Sequence, residues 1–139
     1  MPAAVEVCFP ATMDGLTMAL ATIDQFRAAR NLDADQIARM RVVAEELVSN
    51  TIKYGYGGAC DRPIRLSLSA DPVLSMVYED EAEPFDPTLW RANAPLTVPG
   101  QGRREGRAGI DLVLGLSSAV GYMALPKGNR LIIQFGESP

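Results

Sequence analysis

The sequence contains no histidine. That removes histidine-based catalytic triads, histidine metal sites and any phospho-histidine relay. Cysteine is nearly as scarce: Cys8 and Cys60 are the only two. One such pair makes neither a disulfide framework nor the ligand spacing of a metal site. Both are expected as reduced, half-buried thiols. No apolar run reaches the ~18 residues of a spanning helix. The opening MPAAVEVCFP lacks a basic n-region and a long apolar core, so no secretory signal, no membrane attachment and a cytoplasmic location are expected. Charge of one sign is not in large excess either. Thirteen Lys and Arg against 17 Asp and Glu give a net −4, too weak a field to gather nucleic acid or anionic lipid.

What is present is a chain of 139 residues with 47% hydrophobic residues, enough for one domain with a real core. Val5, Val7 and Phe9 alternate on one face, which predicts an edge strand over 3–9, ending at Pro10. Leu16, Ala19, Leu20, Ile23 and Phe26 recur at helical spacing, so 13–30 reads as an amphipathic helix stopped near Asn31. Asp33 can cap a second helix with Gln36 reaching back, and Leu32 and Ile37 sit at the positions of a hydrophobic staple. Its buried stripe is Ile37, Met40, Ala44, Leu47, Val48 and Thr51, and it runs to about Tyr54, where the glycines of 55–58 end it. Ile64, Leu66 and Leu68 alternate with polar residues, Asp71-Pro72 turns the chain, and 73–78 is the next strand. The segment 91–108 is rich in Pro, Gly and Arg and has no periodicity, which predicts a long functional loop. A short helix over 108–116 follows, then strands over 120–124 and 130–135 around the turn LPKGN. The order β-α-α-β-β-loop-α-β-β predicts an α+β two-layer sandwich.

Three stretches carry chemistry. In EELVSNTIKYG, Glu46 and Asn50 lie four apart and so share a helix face, flanking the buried stripe, while Glu45 faces elsewhere. An Asn amide oxygen suits a single protein ligand to Mg²⁺ with phosphates completing the shell, and a Glu can take a hydroxyl proton. The bland alternative is a solvated helix face. In YEDEAEPFDP, five acids follow a strand directly. Acid runs are commonly solvated loops. Yet an Asp at a strand end can accept from the amino group of a base. In GRAG, 106–109, small residues precede an apolar helix, whose first N–H groups and dipole favour phosphate, and Arg103, Arg104 and Arg107 add positive charge. No Walker A sequence and no strand-linked GxGxxG is present.

In this order the residues resemble the GHKL (histidine kinase-like, Bergerat) ATPase fold, and within it the small anti-sigma-factor serine/threonine kinases of the RsbW type. The matching segments are E46-L-V-S-N50-T-I-K-Y-G-Y, D80-E-A-E-P-F-D-P87, G106-R-A-G-I-D-L-V113 and a weaker K127-G-N-R-L131. The resemblance covers nearly the whole chain, and it implies one ATPase domain over 1–139 with a mixed, mainly antiparallel sheet and helices on one face. By the same resemblance Glu46 is the catalytic base, Asn50 the Mg²⁺ ligand and Asp80 the acceptor of the adenine amino group. Lys53, Tyr54, Ala82, Phe85 and Asn129 would line the nucleotide site. Gly106, Arg107, Ala108, Gly109 and Ile110 would meet the phosphates. The stretch 88–105 would be the ATP lid, with Arg104 touching the γ-phosphate. Two positions depart from the pattern. Ala82 and Arg107 stand where glycine is common, and if position 82 needs a positive φ, alanine there costs about 1 kcal/mol and crowds the base.

The implied activity is ATP- and Mg²⁺-dependent phosphorylation of a Ser or Thr on a STAS-type anti-sigma antagonist, with a sigma factor as the competing partner. The alternative is a protein-sequestering module of the same fold without turnover, against which the retained Glu46 argues. Homodimers are common in the resembling family, and Met13, Leu16 and Trp90 are candidates for an interface.

Overall fold

Thr12 caps the first helix with its hydroxyl, which accepts from the Gly15 N–H at 3.0 Å, and the helix ends where Asn31 turns left-handed at φ 54°. This is α1, Met13–Arg30, with the boundaries that the apolar periodicity predicts. The computed structural model describes residues 4–89 and 109–136. Before α1 runs β1, Val5–Pro10. After it come α2 (Ala34–Asn50), a π turn (Thr51–Gly55), β2 (Pro63–Ser69) and β3 (Ser75–Asp80). Then follow α3 (Gly109–Leu116), β4 (Ala119–Leu125) and β5 (Gly128–Gln134).

The strands form one sheet in the order β1-β2-β3-β5-β4. All four pairings are antiparallel, within the mixed, mainly antiparallel sheet that the resemblance implies but with no parallel pair among the described strands. Two of the four pairings are hairpins and two join strands distant in the chain. Turns join β2 to β3 and β4 to β5, and the β4–β5 hairpin enters the sheet with β5 against β3. Inward positions are Val5, Val7 and Phe9 on β1, then Ile64, Leu66 and Leu68, then Met76 and Tyr78, then Leu131 and Ile133. The helices cover that face with Ala19, Ile23 and Phe26 from α1, with Met40, Val43 and Leu47 from α2 and with Val113 from α3. The opposite face carries Cys8, Arg65, Glu79 and Arg130, with Glu79 and Arg130 paired at 2.6 Å. Cys8 is exposed there rather than half-buried, because it falls out of phase with Val7 and Phe9; both cysteines are free.

Asp33 caps α2 as predicted, accepting from the Gln36 N–H at 3.0 Å. Gln36 does not close the box. Its amide instead donates to the carbonyls of Phe135 and Gly136 at 2.8 and 3.1 Å and so ties α2 to the chain leaving β5. Arg39 donates to Gly136 and also to the last carbonyl of α3. Asp33→Ala removes an exposed cap and is expected to cost about 1 kcal/mol of stability, read from a urea denaturation midpoint. An unchanged midpoint would mean that the Gln36 and Arg39 ties alone set the start of α2.

The end of α2 differs from expectation. The α-helical pattern stops at Asn50, and Thr51–Gly55 widens into a π turn, closed by the Tyr56 N–H on the Thr51 carbonyl at 2.7 Å. Gly57 and Gly58 then take positive φ, as the glycine run predicts. β3 begins two residues later than expected and extends to Asp80, which pairs with Ile64 on one side and Asn129 on the other. Among the described residues no helix is long and apolar enough to cross a membrane.

Candidate active site

A cavity opens where α2 and its π turn face the end of β3, the loop after it and the start of β5. Asn50, Thr51 and Tyr54 line one wall. Asp80 and Asn129 form the floor, Ala82 and Phe85 come from the loop, and Ile110 comes from the first turn of α3. Leu47, Tyr78 and Leu131 close it toward the core. The structure therefore brings together Asn50, Tyr54, Asp80, Ala82, Phe85, Ile110 and Asn129, residues that the sequence motifs single out. Lys53 is exposed and is not among the lining residues. Arg104, Gly106, Arg107 and Ala108, Trp90, and all of the lid except 88–89 lie outside the described residues.

Asp80 sits at the centre of a polar network. Its Oδ2 accepts from the Thr51 hydroxyl at 2.8 Å. Its Oδ1 accepts from the Asn129 amide at 2.9 Å and from the Ala82 N–H at 3.2 Å. Thr51 in turn lies 2.6 Å from the Tyr78 hydroxyl, which has the Leu47 carbonyl as a second acceptor within reach at 3.1 Å. Burial pushes the Tyr78 hydroxyl well above its ordinary value, so it stays a neutral donor throughout the physiological range. Asn129 does more than touch Asp80. Its amide nitrogen also reaches the carbonyls of Ala82 and Glu83, and its Oδ1 accepts from the Phe85 N–H and from Tyr122. This one side chain holds the whole loop after β3 against β5.

The loop is fixed from behind as well. Tyr56 donates to the Pro63 carbonyl at 2.7 Å and accepts from the Glu81 N–H at 2.8 Å. Arg62 lies over the Tyr56 ring at 4.2 Å and donates to the Glu81 carbonyl. Desolvation raises the Tyr56 hydroxyl, which keeps it protonated as this clamp requires.

Ala82 does not carry the expected strain. Among the described residues Asn31 is the only non-glycine with a positive φ. The Ala82 methyl instead packs at Gly55, where an added Cβ would lie 2.8 Å from it. Glycine at 55 gives the room that alanine at 82 uses.

Glu46 and Asn50 both lie half-buried on one face of α2, and Glu45 is exposed, as predicted. The Asn50 amide nitrogen donates back to the Glu46 carbonyl at 2.9 Å. Among the described residues nothing donates to its Oδ1, which leaves that oxygen for a ligand. Glu46 does not line the cavity but lies one turn beyond Asn50, against Gly109 at the start of α3. A side chain at 109 would overlap its carboxylate, which explains glycine there. Among the described residues no group of three acidic or Cys side chains converges to hold a metal ion. A cation here would take Asn50 as its protein ligand and complete its shell from phosphate and water.

Sequence reasoning placed Thr51 in the buried stripe but missed its role, and it missed Tyr78 altogether. A signal existed: a threonine on the apolar stripe of α2 and a tyrosine in phase with Asp80 on a strand are both polar groups in need of a buried partner.

The comparisons agree with this fold. The model of the histidine kinase-like ATPase domain matches residues 9–135. No curated protein matches the chain in sequence. Among solved structures, the crystal structure of the RsbU and RsbW domains of Rv1364c from Mycobacterium tuberculosis superimposes with a TM-score of 0.64 at 17% identity. The match covers 98% of this chain and 32% of that one, so this chain spans about a third of that protein's length. With the family model matched over most of the chain and a five-stranded antiparallel sheet beneath its helices, the chain belongs to the histidine kinase-like ATPase domain family.

Proposed function

We propose that this protein is an ATP-dependent serine/threonine kinase acting as an anti-sigma factor, with a STAS-type anti-sigma antagonist as its substrate. The observation that supports this reading best is Glu46, a half-buried carboxylate one turn from Asn50 and set against the first residue of α3. A module that only sequesters a partner needs no base at that place. Ala82, which argued for a disabled site, is unstrained.

In this reading Asp80 receives the base amino group, and Asn129 and Tyr56 keep its loop in place. Asn50 holds Mg²⁺, which would neutralise phosphate charge during transfer. Glu46 takes the proton of the acceptor hydroxyl. Arg104, Gly106, Arg107 and Ala108, with the lid over 88–105, would engage the phosphates. The chain is one domain over 1–139, works in the cytoplasm without nucleic-acid or membrane contact, and switches between the STAS protein and a sigma factor. A homodimer using Met13, Leu16 or Trp90 is part of the same proposal; Met13 is 70% exposed, whereas Leu16 packs partly on the core.

The test is equilibrium binding of ATP with and without Mg²⁺, followed by transfer of γ-phosphate to purified STAS domains. Binding that strengthens with Mg²⁺, and transfer to serine or threonine, are expected. No binding at millimolar ATP ends the reading. Asn50→Ala is expected to remove about tenfold of affinity in Mg²⁺, about 1.4 kcal/mol, and to leave Mg²⁺-free binding unchanged. Equal losses in both conditions would take the metal-ligand role away from Asn50.

A further inference from the structure

Among the described residues two polar side chains other than tyrosine are fully buried, Thr51 at 5% and Asn129 at 6% exposure. Both donate to the same carboxylate. An ionised aspartate offers four lone-pair sites, two on each oxygen. On Asp80, Oδ1 is filled by Asn129 and by the Ala82 N–H. Oδ2 holds Thr51, and one site remains. The direction of the Thr51 proton is set by its neighbour. The carboxylate can only accept, so the Thr51 hydrogen goes to Asp80, and the one hydrogen of the Tyr78 hydroxyl goes to the Thr51 oxygen at 2.6 Å in preference to the Leu47 carbonyl at 3.1 Å.

We infer that Thr51 and Asn129 are positioning residues that leave Asp80 a single free acceptor site, so that this pocket selects a base edge by the number of hydrogens it donates. This rests on the nucleotide reading above and deepens it. A base that presents one amino hydrogen to Oδ2 is satisfied. A guanine edge presents a ring N–H and an amino N–H side by side and needs one lone pair on each carboxylate oxygen; Oδ1 has none left. One of its buried donors would go unpaired, at the full cost of desolvation. Thr51 matters because it fixes the carboxylate plane. Without it Oδ2 gains a second free site and the group can turn toward a two-donor edge.

The experiment is equilibrium binding of ADP, purine riboside 5′-diphosphate, which lacks the amino group, and GDP. Wild-type protein is expected to bind ADP about tenfold or more tightly than the deamino compound, and GDP no better than that compound. In Thr51→Val the preference for ADP over GDP is expected to fall about fivefold or more, with the deamino compound held within about twofold. Thr51→Ser keeps the hydroxyl and is expected to keep the wild-type preference. Valine matches threonine in shape, and the Tyr78 hydrogen released from position 51 has the Leu47 carbonyl 3.1 Å away, so the variant has no newly stranded buried donor.

GDP binding within about twofold of ADP in the wild type overturns the inference while leaving the nucleotide reading intact, and does so whether or not any variant folds. A Thr51→Val variant that weakens all three ligands equally also overturns it, since that is the signature of a merely structural residue. Absence of binding by all three compounds overturns both.

Discussion

Replacing Glu46 by glutamine is expected to lower phosphoryl transfer about 10²–10⁴-fold while nucleotide affinity stays within about twofold. Glutamine keeps the length and shape that fit against Gly109, so the start of α3 is not disturbed. It loses only the capacity to accept a proton. Glu46 does not line the cavity around Asp80, and among the described residues nothing hydrogen-bonds to its carboxylate, so binding has little to lose. A single-turnover assay with a STAS substrate, paired with ATP titration of the same preparation, separates the two quantities. Unchanged transfer would show that the hydroxyl proton leaves by another route. A parallel loss of affinity would put Glu46 among the groups that hold the nucleotide and would take the base role from it.

The second large effect is at Gly128, the residue before Asn129, where β5 meets the Asp80 backbone. Its φ of +124° is a region that L side chains rarely adopt. A Cβ there would overlap the Asp80 carbonyl and lie 2.7 Å from the Glu81 Cα. Backbone strain and overlap with immovable backbone together should cost Gly128→Ala about 3 kcal/mol or more. Where the variant still folds, the Asp80 loop must shift, and nucleotide affinity should fall with stability. Gly57→Ala is the control. It too has a positive φ, +74°, but nothing lies within 4 Å of its added Cβ, so about 1 kcal/mol is expected. Urea denaturation of both variants decides the matter. Equal losses would mean that φ alone, not the approach of β5 to the Asp80 backbone, demands glycine at 128.

These two positions differ in how visible they are in the sequence. Glu46 announces itself through Asn50, because a four-residue spacing on a helix is a statement about one face. The spans of α1 and α2, the Asp33 cap and the inward phase of Ile64, Leu66 and Leu68 are legible for the same reason: each is set by neighbours within a turn or a strand. The β4–β5 hairpin follows from its turn residues. The four motif segments even give the order in which the site is assembled along the chain.

Gln36 shows where such reasoning ends. Its spacing from Asp33 fits a capping box, and a local argument stops there. In the structure a carbonyl 99 residues away wins the amide, because a buried acceptor at the end of β5 has no water to replace it. Ala82 is the converse case. By position it looked like a strained substitute for glycine. The missing Cβ at Gly55, across the cavity wall, makes it an ordinary packed methyl.

The sequence by itself determined the elements, their order, the inward faces and the Glu-x-x-x-Asn and strand-end Asp pairs, since all of these are set by short-range periodicity and turn chemistry. Only the tertiary structure decided that Thr51, 29 residues before Asp80, and Asn129, 49 residues after it, converge on one carboxylate. Burial removed water as a partner for all three, so each polar group had to find another that the fold brought within reach. No local spacing encodes that choice, and it is the choice that shapes the candidate site.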